Sequence, residues 1–463
     1  MRLHTAARAR SVRAIRQFLV SAACMLALPS LAAAQTAPAA APVRTITLDG
    51  PPVRVITGAN VVNLDGGAPL TNAVVVITGD RISAIGPAGQ VQIPAGAQTI
   101  ALPGKWLMPG LMNMHVHFGL KLPGAQSVAL ANENDVQLGL RMLANARKSL
   151  LSGTTTVRSP GEQRDASFGL RSSIESGEHV GPRIFSAGRA IVVTGGHSSE
   201  PTYKGIDGPD EMRVETRRQI LLGAKWIKIM ISRGIASTGD ISAADMTVDE
   251  MKAVTDTAHR QGVKVAAHTG STQATLDALE AGVDSFEHGY FLSEEVFRKM
   301  KEKGAYYVPT IVVSQKGAQE FFRKIGSTPF YLARVEAVGK SHWKSLQTAI
   351  KVGVNVAMGS DQYPYEPNEG TVASIREIEL YQEAGMTPVQ ALRTATVNTA
   401  KMLGAFQDLG TLEPGKYADI IALDADPSKD VRALRTLSVV MKGGVVVRND
   451  ADPASVVATG GLY

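Results

Sequence analysis

Between residues 106 and 415, short apolar segments alternate with helical patterns, and no other feature limits the fold as strongly. Strand-like segments fall at 113–116, 154–157, 184–187, 226–230, 263–267, 285–287, 307–311 and 355–358. They are short, apolar and bounded by turn or helix signals, the pattern of strands buried on both faces. Helical stretches at 135–151, 209–223, 247–261 and 335–352 lie between them. Two helix starts are written out plainly: Thr247 with Glu250 forms a capping box, and Thr387 with Gln390 adds Pro388 at the first helical position. Eight strands separated by helices over about 300 residues predict an α/β fold, a (β/α)8 TIM-type barrel. A doubly wound open sheet shares that alternation, since strand order is not written in one sequence. No G-x-G-x-x-G or G-x-x-x-x-G-K-[ST] follows any strand, so dinucleotide and P-loop chemistry lack their phosphate cradle.

The flanks read differently. Short β-branched or alternating runs at 53–56, 60–64, 73–78, 81–85 and 98–102 return at 419–423 and 438–447, with a turn at Gly443-Gly444. Such ends predict one small β-sandwich domain assembled from both, 44–105 and 416–463, around a barrel domain spanning 106–415.

The remaining N-terminal stretch explains the charge. Arg2, Arg8, Arg10, Arg13 and Arg16 precede an apolar run at 18–28, and Ala32-Ala33-Ala34 offers a cleavage site before Gln35. This is the layout of a secretory signal peptide over 1–34, followed by an Ala/Pro-rich flexible linker at 35–43. Taking those five arginines from 48 basic residues leaves 43 against 42 acids, or +1 instead of +6. A near-neutral mature chain has no electrostatic footprint for nucleic acid. Its expected location is periplasmic or secreted, with no membrane span. The one cysteine, Cys24, falls in the apolar run, so the mature chain would carry no disulfide. Ser21-Ala22-Ala23-Cys24 only faintly matches a lipoprotein attachment site.

Polar residues placed on the central strands carry the chemistry. His115 and His117, at i and i+2, point to one face of a strand. Two neutral imidazoles on one face suit zinc or a similar divalent ion. Lys228 interrupts the apolar segment Trp226-Ile227-Lys228-Ile229-Met230, where an unpaired ammonium is expensive to bury. His268, His288 and Asp361 each end a further strand segment. All six thus gather at the carboxyl ends of strands 1, 4, 5, 6 and 8, the face on which barrel enzymes build active sites.

With these motifs the chain resembles the amidohydrolase superfamily over nearly its whole mature length. The resemblance rests on Met108-Pro-Gly-Leu-Met-Asn-Met-His115-Val-His117, Gly153-Thr-Thr-Thr-Val-Arg158, Lys225-Trp-Ile-Lys228, Ala267-His268, Glu287-His288-Gly289, Gly359-Ser-Asp361 and Gly410-Thr-Leu-Glu-Pro-Gly-Lys-Tyr-Ala-Asp419. It is most similar to the binuclear prolidase-like branch, which includes Xaa-Pro dipeptidases, carboxypeptidase-like members and ochratoxin-hydrolysing amidohydrolases; Thr194-Gly-Gly-His197 matches that branch too. The resemblance implies two divalent metal ions, zinc first among candidates. His115, His117 and Asp361 would hold one ion, His268 and His288 the other, and a Lys228 carbamate formed from CO2 or bicarbonate would bridge them. It further implies attack by a hydroxide shared between the ions, with Asp361 shuttling the proton. Relatives often form homo-oligomers, which is the expectation here.

Substrate contacts are written more faintly. His197, Arg233 and Tyr290 are candidates; Arg233 suits a carboxylate clamp and equally a loop ion pair. His179, His259 and His342 fall in helical or loop stretches and read as surface residues. The leading expectation is hydrolysis of an amide next to a free carboxylate, in a dipeptide or N-acyl amino acid, with ochratoxin-type release of phenylalanine inside that class. A cyclic amide, lactone or imidazolone-type ring is the enzymatic alternative, although a bridging lysine argues against the mononuclear imidazolone version. A non-catalytic binding protein would be expected to lose ligands, and all six positions are filled.

Overall fold

The computed structural model describes residues 52–198, 205–361 and 373–456. The expected signal peptide and linker lie outside the described residues.

Strands from both chain ends form one eight-stranded sheet. Val53–Val61 runs antiparallel to Leu70–Thr78, which pairs in turn with Arg81–Pro87. Val53–Val61 also runs parallel to Gln98–Ala101 and to Trp106–Pro109. Trp106–Pro109 joins the two ends, because Ile420–Leu423 pairs antiparallel with its other edge and leads to Leu437–Lys442 and Val445–Asn449. Positive φ at Gly443 and Gly444 (53° and 74°) closes that last hairpin, the backbone geometry a two-residue turn demands. Ile56, Val75, Ile77, Leu107, Ile420 and Met441 form one shared apolar cluster, so neither end buries its face alone. Trp106–Pro109, expected at the head of the central unit, therefore belongs to this sheet by its hydrogen bonds. The chain crosses to the parallel strands at Gly110, where a Cβ would lie 2.2 Å from Thr155 Oγ1.

Every central strand pairing is parallel. Leu111–Asn113, Thr154–Ser159 and Arg183–Ser186 form one sheet. Trp226–Met230, Lys264–Thr269, Ser285–His288, Tyr306–Val308 and Asn355–Val356 form another, in chain order. Backbone hydrogen bonds link the two sheets at both edges. Ile191 N–H donates to Lys228 O (2.8 Å) and Met230 N–H to Ile191 O (3.1 Å) at one. Met114 N–H donates to Met358 O (2.7 Å) and Asp361 N–H to His115 O (2.8 Å) at the other.

Most expected elements sit where the pattern put them, with informative departures. Both capping boxes form, and a third, Asn134 with Gln137, opens Asp135–Leu151. The seventh strand stops at Val308 instead of 311: Pro309 offers no N–H, Thr310 has φ 51°, and Ile311–Ser314 turns into a short 3-10 helix. The helix expected from 335 begins at Pro329, capped by Thr328, whose side chain accepts from Tyr331 N–H.

Candidate metal and catalytic site

His115 and His117 lie just past Leu111–Asn113, yet pairing continues through them, with Val116 N–H donating to Arg158 O. Both imidazoles consequently reach one oxygen: Asp361 Oδ1 is 3.2 Å from His115 Nε2 and 3.1 Å from His117 Nε2. The opposite nitrogens are committed. His115 Nδ1 is 2.7 Å from Glu287 Oε2, and His117 Nδ1 is 2.5 Å from the Gly161 carbonyl oxygen. Both acceptors are oxygens that cannot donate, so each ring carries a proton on Nδ1 and turns Nε2 towards Asp361. The Asp361 carboxylate draws a proton or a cation to these Nε2 atoms; against the effect of burial, its hydrogen bond and charge raise His117 above the usual imidazole range. Ligand atoms of His115, His117 and Asp361 all fall within 4.8 Å of one another, and this donor set fits a divalent metal. Burial would raise the Asp361 carboxyl, but His115 and His288, with hydrogen bonds to His115 and His117, hold it well below the usual range. Asp361 itself has φ 50°, a left-handed conformation that a non-glycine residue keeps only under constraint.

The second group converges on the same place. Lys228 lies mid-strand and is 1% exposed. Burial, with the Arg158 charge, holds its amine down at about 8, against the pull of Glu287 and Asp361. His268 Nε2 is 3.2 Å from the Arg233 carbonyl oxygen, which fixes the proton there and leaves Nδ1 as the donor atom. His288, at φ 66°, directs Nδ1 to Thr310 Oγ1 at 2.7 Å. Ring centroids of His268 and His288 are 4.5 Å apart, and those of His115 and His288 4.9 Å. Burial pushes the His268 and His288 imidazoles far below their usual range, so both are neutral and able to ligate.

Several residues that hold this cluster carry no role in the sequence reading. Glu287 bridges His115 and Arg158, receiving Arg158 Nη2 on its other oxygen at 2.6 Å, and neither side chain is exposed. Burial alone would raise Glu287; Arg158 and His115 overcome it and bring the carboxyl to about 2. Glu162 gathers Phe118 N–H (2.6 Å), Gly119 N–H (2.8 Å) and Ser159 Oγ (2.8 Å), pinning the turn after His117. Glu377 accepts from Ile311 and Val312 N–H, both at 2.8 Å, and so fixes the turn beside Thr310. A charged residue at the end of an otherwise uncharged strand, Arg158 after Thr154-Thr-Thr-Val157, was the available signal.

His342 is a correction. Expected at the surface, it is fully buried on the stripe Val335, Val338, His342, Ser345, Leu346 and Ala349 of its helix. That spacing is the helical face turned to the core. Its Nε2 reaches the carbonyls of His288 (2.9 Å) and Pro309 (2.8 Å), and Nδ1 meets Ser314 Oγ at 2.8 Å. His179 and His259 are exposed, as expected.

Of the substrate-contact candidates, His197 stacks on His268 with ring centroids 4.1 Å apart, and its Nδ1 meets Ser237 Oγ. Burial, aided by Lys228, lowers His197 to about 4. Tyr290 stacks on His288 at 5.5 Å and is 2% exposed. Arg233 gives its Nε to Asp245 at 2.8 Å, the ion-pair alternative, with its side chain 28% exposed.

Parallel strands topped by clustered imidazoles and a carboxylate define a hydrolase of the α/β class. The chain belongs to the amidohydrolase family, whose profile matches residues 106–447. It is 31% identical over 420 residues to an ochratoxinase of Aspergillus niger, covering 82% of this chain and 83% of that one. A Xaa-Pro dipeptidase solved with bound methionine in the active site superposes with a TM-score of 0.79 at 30% identity, covering 86% of this chain and 100% of the other. A prolidase complexed with N-methylphosphonate-L-proline gives 0.78 at 30%, with the same coverage. These likenesses establish a hydrolase that acts on amide bonds.

Proposed function

We propose that the chain is a binuclear metal-dependent amidohydrolase that cleaves an amide next to a free carboxylate, in a dipeptide, an N-acyl amino acid or an ochratoxin-type compound. One observation carries the reading: the Nε2 atoms of His115 and His117 converge on Asp361 Oδ1, a compact His-His-Asp donor set in which a divalent cation would take the place of the imidazole protons. His115, His117 and Asp361 would hold one ion, and His268 and His288 a second; the hydrogen bonds joining the two sheets at both edges support a (β/α)8 barrel around them. Zinc suits this nitrogen and oxygen donor set. A Lys228 carbamate would serve both ions. An amine at about 8 is neutral in roughly a tenth of molecules at pH 7, enough to react with CO2. Bound here, the ions would activate water and polarise the scissile carbonyl.

The chain's own groups do the rest. Asp361 takes a proton from water and returns it to the departing nitrogen. Glu287, Gly161 and Thr310 hold three of the imidazoles in fixed orientation. His197, neutral above its value of about 4, meets the substrate carbonyl as a hydrogen-bonding group. Arg233, committed through Nε alone among the described residues, offers its remaining donors to the substrate carboxylate. The dipeptidase and prolidase relatives, one solved with an amino acid and one with a proline phosphonate, favour a carboxylate-bearing substrate.

The Arg-rich N-terminus and the apolar run after it support a mature chain in the periplasm or outside the cell, and the family resemblance alone supports a homo-oligomer. Among the described residues no helix is long and apolar enough to cross a membrane.

Amino-acid release tests the reading. The mature chain, with zinc and bicarbonate and an EDTA control, is offered dipeptides and N-acyl amino acids ending in Phe, Leu, Pro, Arg and Asp, with one lactone and one cyclic amide. Metal-dependent release from the linear amides is expected. Turnover of the ring compounds alone would replace this substrate class with the ring-opening one.

A further inference from the structure

The segment after the Lys228 strand lies against the site and is held from outside it. At its base, Ser232 bridges to Ala244, Asp245 N–H donates to Ile231 O at 2.9 Å, and Arg233 pairs with Asp245. Its middle touches two imidazoles. The Arg233 carbonyl accepts from His268, Ser237 meets His197, and a Cβ on Gly234 would lie 2.4 Å from His197 Cε1 and 2.8 Å from His268 Cε1. A side chain at 234 would therefore crowd both rings, and drift of the segment changes the wall they face.

Three carbonyls in this segment converge on one side chain. Arg334, in the helix Pro329–Val352, donates Nε to Ile235 O (3.0 Å), Nη1 to Gly239 O (2.8 Å) and Nη2 to Gly234 O (2.9 Å). A rigid planar fork gathering three carbonyls within six residues fixes position and tilt together, which a lysine's single ammonium cannot do.

We infer that Arg334 is a positioning residue for amide hydrolysis, setting how closely residues 233–239 press on His197 and His268 and thereby shaping the pocket that receives the substrate carboxylate. The inference rests on the proposed function for its kinetic arm alone. Arg334 is part-buried, and among the described residues its hydrogen bonds go to the carbonyls of this segment, so its loss is expected to leave the metal content intact.

The test compares Arg334→Met and Arg334→Lys with wild type in metal content, steady-state kinetics and amide hydrogen exchange. Both variants are expected to keep wild-type metal content. They should raise KM about tenfold with kcat within about threefold, and speed exchange across 233–239. Lys should fail to rescue. Wild-type KM with faster exchange would reduce Arg334 to a loop brace and overturn the inference. Wild-type behaviour of Arg334→Lys would overturn the role of the fork. If wild type itself turns over no substrate in the panel, the proposed function fails, while exchange at 233–239 still reads the clamp.

Discussion

The polar groups deep in the strands and those on the loops above them obey different rules. Arg158 and Glu287 are wholly enclosed, and Glu287 lies 2.7 Å from a candidate metal ligand. Arg233 is partly open to solvent at 28% side-chain exposure, while its partner Asp245, at 5%, also accepts from His197 N–H. Enclosed charges have one low-energy arrangement, because a broken pair leaves an ion in a poorly polarisable interior. Water cushions the Arg233 end of the outer pair, so Arg233 can change at a smaller cost to folding than either enclosed charge. Depth in this molecule thus separates what must stay fixed for metal binding from what can vary with substrate.

Substitutions at graded depth test that separation. The largest effect belongs to Asp361, where both sets of groups meet: Asp361→Asn should lower kcat by about 10³-fold or more with melting temperature little changed. Retained turnover would dissolve the centre of the scheme.

Next comes the enclosed pair. Glu287→Gln leaves Arg158 buried without its counter-charge and should destabilise by about 3–5 kcal/mol in denaturant unfolding. Metal affinity should weaken about 10–100-fold as His115 loses its orienting partner. A loss confined to activity would mean that the pair positions without stabilising.

His342 gives an intermediate effect with a defined pH window. Its imidazole, held by burial at about 4 against an ordinary 6.5, stays neutral in the fold while the unfolded chain takes up a proton. The His342 contribution to stability should accordingly be constant above pH 6.5 and fall as pH drops from 6.5 to 4. His342→Gln should flatten that slope and remove about 1–3 kcal/mol at pH 7. An unchanged slope would assign the acid sensitivity elsewhere.

Arg233→Gln is the mildest. Stability should fall by about 1 kcal/mol, with KM for carboxylate-bearing amides rising several-fold at constant kcat. Equal loss on amides with and without the carboxylate would remove the clamp from the outer pair's role.

All six residues of the central constellation were legible from sequence, because each is a polar residue at the end of, or within, an apolar strand segment, and that conflict is visible without coordinates. Their supports were harder to read. Glu287 hid beside His288 in the same short strand, and Arg158 closed a motif whose first residues drew notice. Glu162, Glu377 and Thr310 act through backbone N–H groups or a single ring nitrogen, contacts without a sequence period. His342 was misplaced although its own helix carried the stripe from Val335 to Ala349; one histidine among apolar positions reads as polar before it reads as core. The boundary at Gly110 depended on which neighbour Trp106–Pro109 pairs with, and pairing is a property of the folded chain.

The most direct test is the metal content of the purified mature chain, measured alongside amino-acid release before and after EDTA. The account predicts about two divalent ions per chain, loss of activity on chelation, and recovery when zinc and bicarbonate are returned together. Full activity in a chain stripped of metal would contradict it.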